Sequence, residues 1–149
     1  MTSYQRPPHL MVDPNAKSNE LLTEERSDRS GSRSLELSNA IARLHKQFVG
    51  RGPTNSRTTI DGDLVVCLLE GGYTRAEHTL TNNNRAELVA AGRVGLQDAM
   101  RQAMVTAVEE ITERRVLSFM SANDLERNLQ VEIFVLEPEV AMPEAQLAS

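Results

Sequence analysis

The spacing of apolar residues alternates between a helical and a strand period along residues 35–137. From Leu35 to Phe48, apolar side chains recur every three or four residues, which is typical of one face of a helix. Ser34 is a suitable N-cap and Gly50 a suitable stop signal. The sequence therefore predicts a first helix that begins at Leu35 and ends before Gly50.

Two β-prone runs follow, residues 56–60 and 64–69, joined by Asp61-Gly62-Asp63. An Asp-Gly pair between such runs predicts a hairpin. The second run reads Leu-Val-Val-Cys-Leu-Leu, so it is apolar on both faces. We therefore expect this strand inside a sheet, with something packed on each side.

The middle of the chain predicts two helices. Thr74 and Glu77 have the spacing of a capping box at the start of a short helix. A long apolar stripe then predicts a second helix over residues 85–112. Gly92 and Gly95 lower helix stability there, so we expect another backbone to approach this helix closely.

Two further strands are predicted over residues 115–120 and 130–136, with a turn over residues 122–128. In the second strand, alternation places Val131, Ile133 and Val135 together on one side. The resulting order α-β-β-α-α-β-β predicts an α+β fold, a four-stranded, mainly antiparallel sheet with helices packed against it.

The flanks differ from this central region in composition. Residues 1–34 are mostly polar, with scattered apolar groups, and predict a disordered N-terminal arm. Residues 35–138 predict one α+β domain, and residues 139–149 predict a short disordered tail.

Aromatic residues make up 3% of the chain and Trp is absent, although 40% of the residues are hydrophobic. The core must therefore consist of aliphatic and methionine side chains, with Met100, Met104 and Met120 as core filler. Such a core buries less area per residue than an aromatic one, which favours further burial in a homodimer or other homo-oligomer.

The net charge is −5, and no segment carries an excess of basic residues. Phosphate backbones and anionic lipid attract basic surfaces, so we predict no nucleic acid partner and no direct membrane insertion. No stretch approaches the roughly 20 apolar residues of a membrane span, and no signal-peptide pattern is present. We therefore expect a cytoplasmic protein.

Candidate catalytic and metal-binding residues are few. The single cysteine, Cys67, lies in an apolar run, which predicts a buried structural thiol. His45 and His78 are expected to be solvated helix side chains. Neither a zinc-ligand spacing nor a Ser-His-Asp order is present. We predict no metal, no cofactor and no catalytic residues.

The string Gly50-Arg51-Gly52-Pro53 could present backbone N–H groups to an anion, but it lacks the Lys-Ser/Thr of a P-loop and follows a helix. The alternative is a tight helix-to-strand connector. Arginine suits carboxylates and phosphates. The candidate ligand-binding residues are Arg51, Gly52, Arg57, Arg93 and Arg101. Solvated charges or salt bridges at the sheet edge are the alternative for Arg93 and Arg101.

Several strings together resemble a bacterial domain family of unknown function named after MpsC, a component of a sodium-translocating, membrane-potential-generating system. They are Phe48 to Pro53, Arg57, Asp61 to Leu68, Thr74-x-x-Glu77, Asn84-Arg85, Arg93, Ala99-Met100-Arg101, Val108 to Thr112, Phe119 to Ser121 and Glu132 to Pro138. The resemblance covers residues 35–138. It departs at Thr112-Glu113-Arg114, where the family typically has Thr-Gly-Arg.

This resemblance implies a cytosolic accessory subunit that serves a membrane cation or bicarbonate transport system. With the missing catalytic residues, it gives our leading hypothesis, a non-enzymatic, homo-oligomeric accessory or regulatory protein with a membrane transporter subunit as a candidate partner. The alternative is a small-anion or nucleotide sensor with an arginine-lined pocket. An enzyme is the third hypothesis.

Overall fold

The structure is a computed structural model that describes residues 14–140. Within that range the chain forms three helices and four strands. They are α1 (Pro14–Val49), β1 (Asn55–Asp61), β2 (Leu64–Glu70), α2 (Arg75–Asn82), α3 (Ala86–Thr112), β3 (Val116–Asp124) and β4 (Leu129–Leu136). This order confirms the predicted α+β fold.

The four described strands form one sheet in the order β1-β2-β4-β3, and every neighbouring pair is antiparallel. Two hairpins, β1–β2 and β3–β4, lie side by side and are joined through β2 and β4. Gly62 has a positive φ of 59°, which the tight turn of the first hairpin requires. The last strand of the described residues, β4, is therefore a central strand of the sheet.

The hydrophobic core lies between one face of the sheet and the helices α1 and α3. Its buried members are Leu37, Ile41, Val65, Cys67, Leu69, Met100, Met104, Val108, Phe119, Phe134 and Leu136. Burial raises the pKa of the Cys67 thiol to about 11, so the thiol stays protonated. The buried, structural cysteine is as predicted.

The first helix is longer than predicted, because it begins at Pro14 instead of Leu35. Residues 15–29 are helical and exposed, so the expected disorder is wrong for the part of residues 1–34 that the structure describes. Starting a helix is the costly step, and the packed half of α1 provides that start. The Glu25–Arg29 ion pair adds local support. Residues 1–13 and 141–149 lie outside the described range.

Two glycines and one glutamate of α3 also differ from expectation. Gly92 and Gly95 are exposed, and a Cβ at either position would meet nothing within 4 Å, so no other backbone from residues 14–140 approaches there. Glu113 ends α3 in the left-handed conformation with φ of 56°, a conformation that favours glycine. Its carboxylate lies 3.8 Å from the guanidinium of Arg33.

The other face of the sheet is not covered by the helices of the described chain. We call it the open face. Along β2 and β4, buried side chains alternate with half-buried or exposed ones, and the second set points to the open face. Its central members are Leu64, Val66, Leu68, Val131, Ile133 and Val135. The expectation that β2 is covered on both sides is therefore wrong for residues 14–140. Met120 is 49% exposed on this face, so it is not core filler.

Candidate functional site

A group of buried polar side chains lies between the helices and the sheet. We call it the polar cluster, and it consists of His45, Glu77, Arg93, Gln130 and Glu132. α1 supplies His45, α2 supplies Glu77, α3 supplies Arg93, and β4 supplies Gln130 and Glu132. All three described helices and a central strand therefore meet in one hydrogen-bonded network.

Arg93 is the branching point of the polar cluster. Its Nε donates to Oε2 of Glu77 at 2.6 Å, and its Nη2 donates to Oε1 of Glu77 at 2.9 Å and to the Gly72 carbonyl at 2.9 Å. Its Nη1 donates to Oε1 of Gln130 at 3.0 Å. The two hydrogen bonds to the Glu77 carboxylate form a bidentate contact, which uses the fixed planar geometry of the guanidinium. The centre of the guanidinium also lies 5.5 Å from the centroid of the Tyr73 ring.

Glu77 has a second partner, because it belongs to the predicted capping box of α2. The backbone N–H of Thr74 donates to its Oε1 at 3.0 Å, while the Thr74 hydroxyl accepts from the Glu77 N–H at 3.2 Å. Partial burial alone would raise the pKa of Glu77. The hydrogen bonds from Arg93 and from the Thr74 backbone outweigh burial and hold the pKa below its ordinary value.

Gln130 joins the two halves of the polar cluster. Its amide oxygen accepts from Nε2 of His45 at 2.6 Å as well as from Arg93, and its amide nitrogen donates to Oε1 of Glu132. A carbonyl oxygen cannot donate, so Nε2 of His45 must carry the proton. Burial, the largest influence, lowers the pKa of His45, and the positive charge of Arg93 acts in the same direction. His45 is therefore held as one neutral tautomer.

Glu132 is completely buried, with 0% of its surface exposed. Burial raises its pKa to about 7, although the nearby Ser121 hydroxyl and the Gln130 amide favour the charged form. Its Oε2 has no hydrogen-bond partner among the described residues. The carboxyl group can therefore take up or release a proton near neutral pH inside the fold.

The space left within the polar cluster is small. A cavity of about 10 Å³ is lined by His45, Gly72, Tyr73, Arg93 and Gln130, among others. That volume holds roughly one water molecule. Chemically, the polar cluster can hold a proton and one water.

The prediction of a solvated His45 is wrong, since the side chain is only 1% exposed. Leu37, Ile41 and His45 are each four residues apart, so they share the buried face of α1. That spacing was a usable signal. Gln130 and Glu132 carried no comparable signal, because Val131, Ile133 and Val135 beside them have the more apolar pattern.

The structure does not bring the five predicted ligand-binding residues together. Arg93 lies in the polar cluster, while Arg57 faces outward on β1 and lies 3.6 Å from Glu70. Arg101 lies over the ring of Phe119 on β3, at 4.9 Å from its centroid. The strands β1 and β3 are the opposite edges of the sheet. As ligand-binding residues, all five stay a prediction.

Arg51 and Gly52 share a shallow surface groove of about 580 Å³. We call it the basic groove, because Arg43, Lys46 and Arg51 line it and no acidic residue does. All three of these cationic side chains are exposed. Gly50 has a positive φ of 91°, and this glycine turns the chain from α1 into the groove loop.

The described part of the chain contains neither a metal-binding group of side chains nor a helix suited to cross a membrane. Within residues 14–140, no three or more His, Cys, Asp and Glu side chains are grouped so as to hold a metal ion. No helix in this range has the length and apolar content that a membrane crossing requires.

The chain is similar to a described protein family and to two proteins of Bacillus subtilis. Residues 29–138 match the family described as Na+-translocating membrane potential-generating system (MpsC). Uncharacterized protein YbcI of Bacillus subtilis (strain 168) is 31% identical over 116 residues, which span 67% of this chain and 94% of YbcI. Uncharacterized protein YrhF of the same organism is 25% identical over 107 residues, spanning 70% of this chain and 88% of YrhF. No solved structure matches significantly.

Arg93→Ala should destabilise the fold strongly. The substitution leaves the carboxylate of Glu77 and the oxygens of Gly72 and Gln130 without their common donor, and each buried polar group that loses its partner costs about 1–3 kcal/mol. The measurement is the free energy of unfolding in urea. Arg85→Ala is the matched control, because Arg85 is an exposed arginine at the start of the same helix, and it should change stability by about 0.5 kcal/mol or less. Equal effects of the two substitutions would contradict this account.

Glu132→Gln should change how stability depends on pH. In the unfolded chain the carboxyl titrates near its ordinary value of 4.5, whereas in the fold its pKa is about 7. The folded state therefore binds the proton more tightly, and this contribution to stability falls as pH rises through that window.

We expect the free energy of unfolding of the wild type, minus that of Glu132→Gln, to fall by about 2–3 kcal/mol between pH 5 and pH 8. Urea unfolding at each pH measures this difference. His45 has the opposite effect on the pH dependence of stability, but both proteins contain it, so its effect largely cancels. Glu36→Gln, at an exposed position of α1, is the control for removing a glutamate charge from the chain. A flat difference for Glu132→Gln would mean that the buried carboxyl does not titrate in this range.

Proposed function

This chain belongs to the MpsC family, and from that premise we propose that it is a non-enzymatic accessory or regulatory protein of a membrane cation or bicarbonate transport system. It acts at the cytosolic side of the membrane, as part of a homo-oligomer. Its contribution is to bind other protein chains, and no chemical step on a small molecule is assigned to it.

The open face is the observation that carries this proposal. Six aliphatic side chains of β2 and β4 lie there side by side and remain partly accessible to solvent. Contiguous exposed apolar surface on a small protein marks a site of interaction with protein or membrane. The polar cluster differs from the open face, because the polar groups of the cluster bind one another and leave space for roughly one water molecule.

The family description supports the membrane system as the setting, since it names Na+ translocation and a membrane potential. The match extends over residues 29–138, which include the four described strands and the packed parts of the described helices. The proposal for this chain follows from that match together with the open face.

The test is affinity purification of the tagged protein from its native cell, with the membranes solubilised in mild detergent, followed by mass spectrometry. We expect an integral membrane transporter or antiporter subunit to be recovered with the bait. A tagged cytosolic protein of similar size and charge is the control bait, and the subunit should be absent from its eluate. Recovery of the bait alone, in repeated purifications, would contradict the accessory role.

The basic groove favours a second candidate function, a sensor of small anions. Three cationic side chains, Arg43, Lys46 and Arg51, converge there without an acidic neighbour in the groove lining. Arginine and lysine can bind phosphate or bicarbonate by charge and hydrogen bonding. In this second candidate, Arg51 and Gly52 keep the predicted ligand-binding role.

A thermal-shift series with inorganic phosphate, bicarbonate and nucleotides tests the sensor. Binding at 100 times Kd stabilises the folded state by about 2.7 kcal/mol, which raises the melting temperature by several degrees. The shift should disappear in Arg51→Gln and persist in Arg75→Gln, since Arg75 is an exposed arginine of α2 that does not line the groove. No shift with any of the anions would remove this candidate.

A further inference from the structure

The centre of the open face is apolar and uncharged. Strand register places aliphatic side chains beside one another in three rows across β2 and β4, and Thr59 and Met120 extend the middle row to the edge strands. The row pairs are Leu64 with Val135, Val66 with Ile133, and Leu68 with Val131. In the middle row, Thr59 is next to Val66, and Met120 is next to Ile133. None of these side chains carries a charge.

The charged side chains of the open face lie at its margin. Asp61 is at the end of the first row on β1, and Asp124 is at the end of β3. Arg57 and Glu70 lie toward one corner and are 3.6 Å apart, so they compensate each other. An apolar centre with a polar rim is the usual arrangement of a protein–protein interface.

We propose that a second copy of this chain covers the open face, so that the two sheets stack in a two-fold dimer. The inference rests on the proposed function, because it names a partner for the assembly suggested there. A two-fold interface requires a patch that is complementary to itself. A two-fold axis along the strands, between β2 and β4, brings Val66 opposite the partner's Ile133, and an axis across the strands through the middle row brings Val66 opposite the partner's Val66. In both arrangements aliphatic side chains meet aliphatic side chains.

The area of the open face is consistent with a dimer of moderate stability. Strands lie about 4.8 Å apart and rise about 3.4 Å per residue, so four strands of about seven residues cover roughly 450 Å² per copy. Stacking two copies would bury roughly 900 Å², which is close to the lower limit of about 1,000 Å² for a stable interface. The dimer should therefore form reversibly, with an extent that depends on protein concentration.

The charges at the margin favour a second copy over a lipid surface. Once Arg57 and Glu70 compensate each other, Asp61 and Asp124 leave the rim of the face acidic. Anionic headgroups would be repelled by such a rim. In a dimer, the rims of both copies stay in contact with water, so their charges need not be desolvated.

Sedimentation velocity over a range of protein concentrations tests the dimer. The wild type should pass from monomer to dimer as concentration rises. Val66→Lys places a cation in the apolar centre and should weaken dimerisation at least tenfold. Val94→Lys is the matched control, because Val94 is 58% exposed on α3 and lies away from the open face, and it should dimerise like the wild type. A wild type that stays monomeric, or a Val66→Lys dimer as stable as the wild type, would overturn the proposal.

A labelling experiment locates the interface without a disruptive substitution. Met120→Cys puts a thiol on the edge of the open face, while the buried Cys67, with its raised pKa, adds little background. The rate of maleimide labelling at position 120 should fall as protein concentration rises through the dimerisation range. A rate independent of concentration would place any dimer elsewhere.

Vesicle flotation with anionic lipid completes the test. Flotation that Val66→Lys abolishes, with no dimer in solution, would make the face a lipid-binding surface and overturn the proposal. The outcomes separate this inference from the proposed function. A dimer through the open face without recovery of a transport subunit would leave the interface standing and remove the accessory role. Recovery of a transport subunit by a monomeric protein would leave the accessory role standing and remove the dimer.

Discussion

The guanidinium of Arg93 is the contact on which the arrangement of the elements depends most. It binds the carboxylate that caps α2, the carbonyl of Gly72 after β2 and the amide of Gln130 on β4. A charged group in the interior must be hydrogen-bonded, and this placement of four separate segments gives the guanidinium four hydrogen bonds. The apolar contacts that hold α1 and α3 on the sheet are not directional. The hydrogen bonds of Arg93 are directional, so they fix where the short helix and the strand ends lie.

Local patterns predicted most of the fold. The Asp-Gly turn, the Thr74–Glu77 capping box and the apolar stripe of α3 each depend on neighbours within one or two turns, and all three are present in the structure. The start of α1 could not be predicted in this way. Its exposed half gains no burial from its own side chains, and its helical state depends on the packed half that follows.

The polar cluster was harder to predict than the fold, for a physical reason. On β4 the more apolar side faces outward, and Gln130 and Glu132 face the core. Burial of polar groups is favourable only when partners from other elements satisfy them, and those partners are distant in sequence. Glu77 was identified as a cap, but its contact with Arg93 depends on how α2 and α3 pack. The open face has the same origin, since the aliphatic side of β4 faces outward and none of the described helices packs on it.

The sheet order has a consequence for how the chain acquires its structure. β4 is the last of the four described strands to be synthesised, yet it lies between β2 and β3 and carries Gln130 and Glu132. Until it emerges from the ribosome, the edge of β2 has no permanent neighbour, and Arg93 lacks one of its acceptors. Pairing β2 with β4 closes a long segment of chain, which slows folding relative to the local hairpins. The sheet can therefore be completed only after β4 has emerged, and until then the exposed edge of β2 is where a nascent chain is most open to mispairing or to capture by a chaperone.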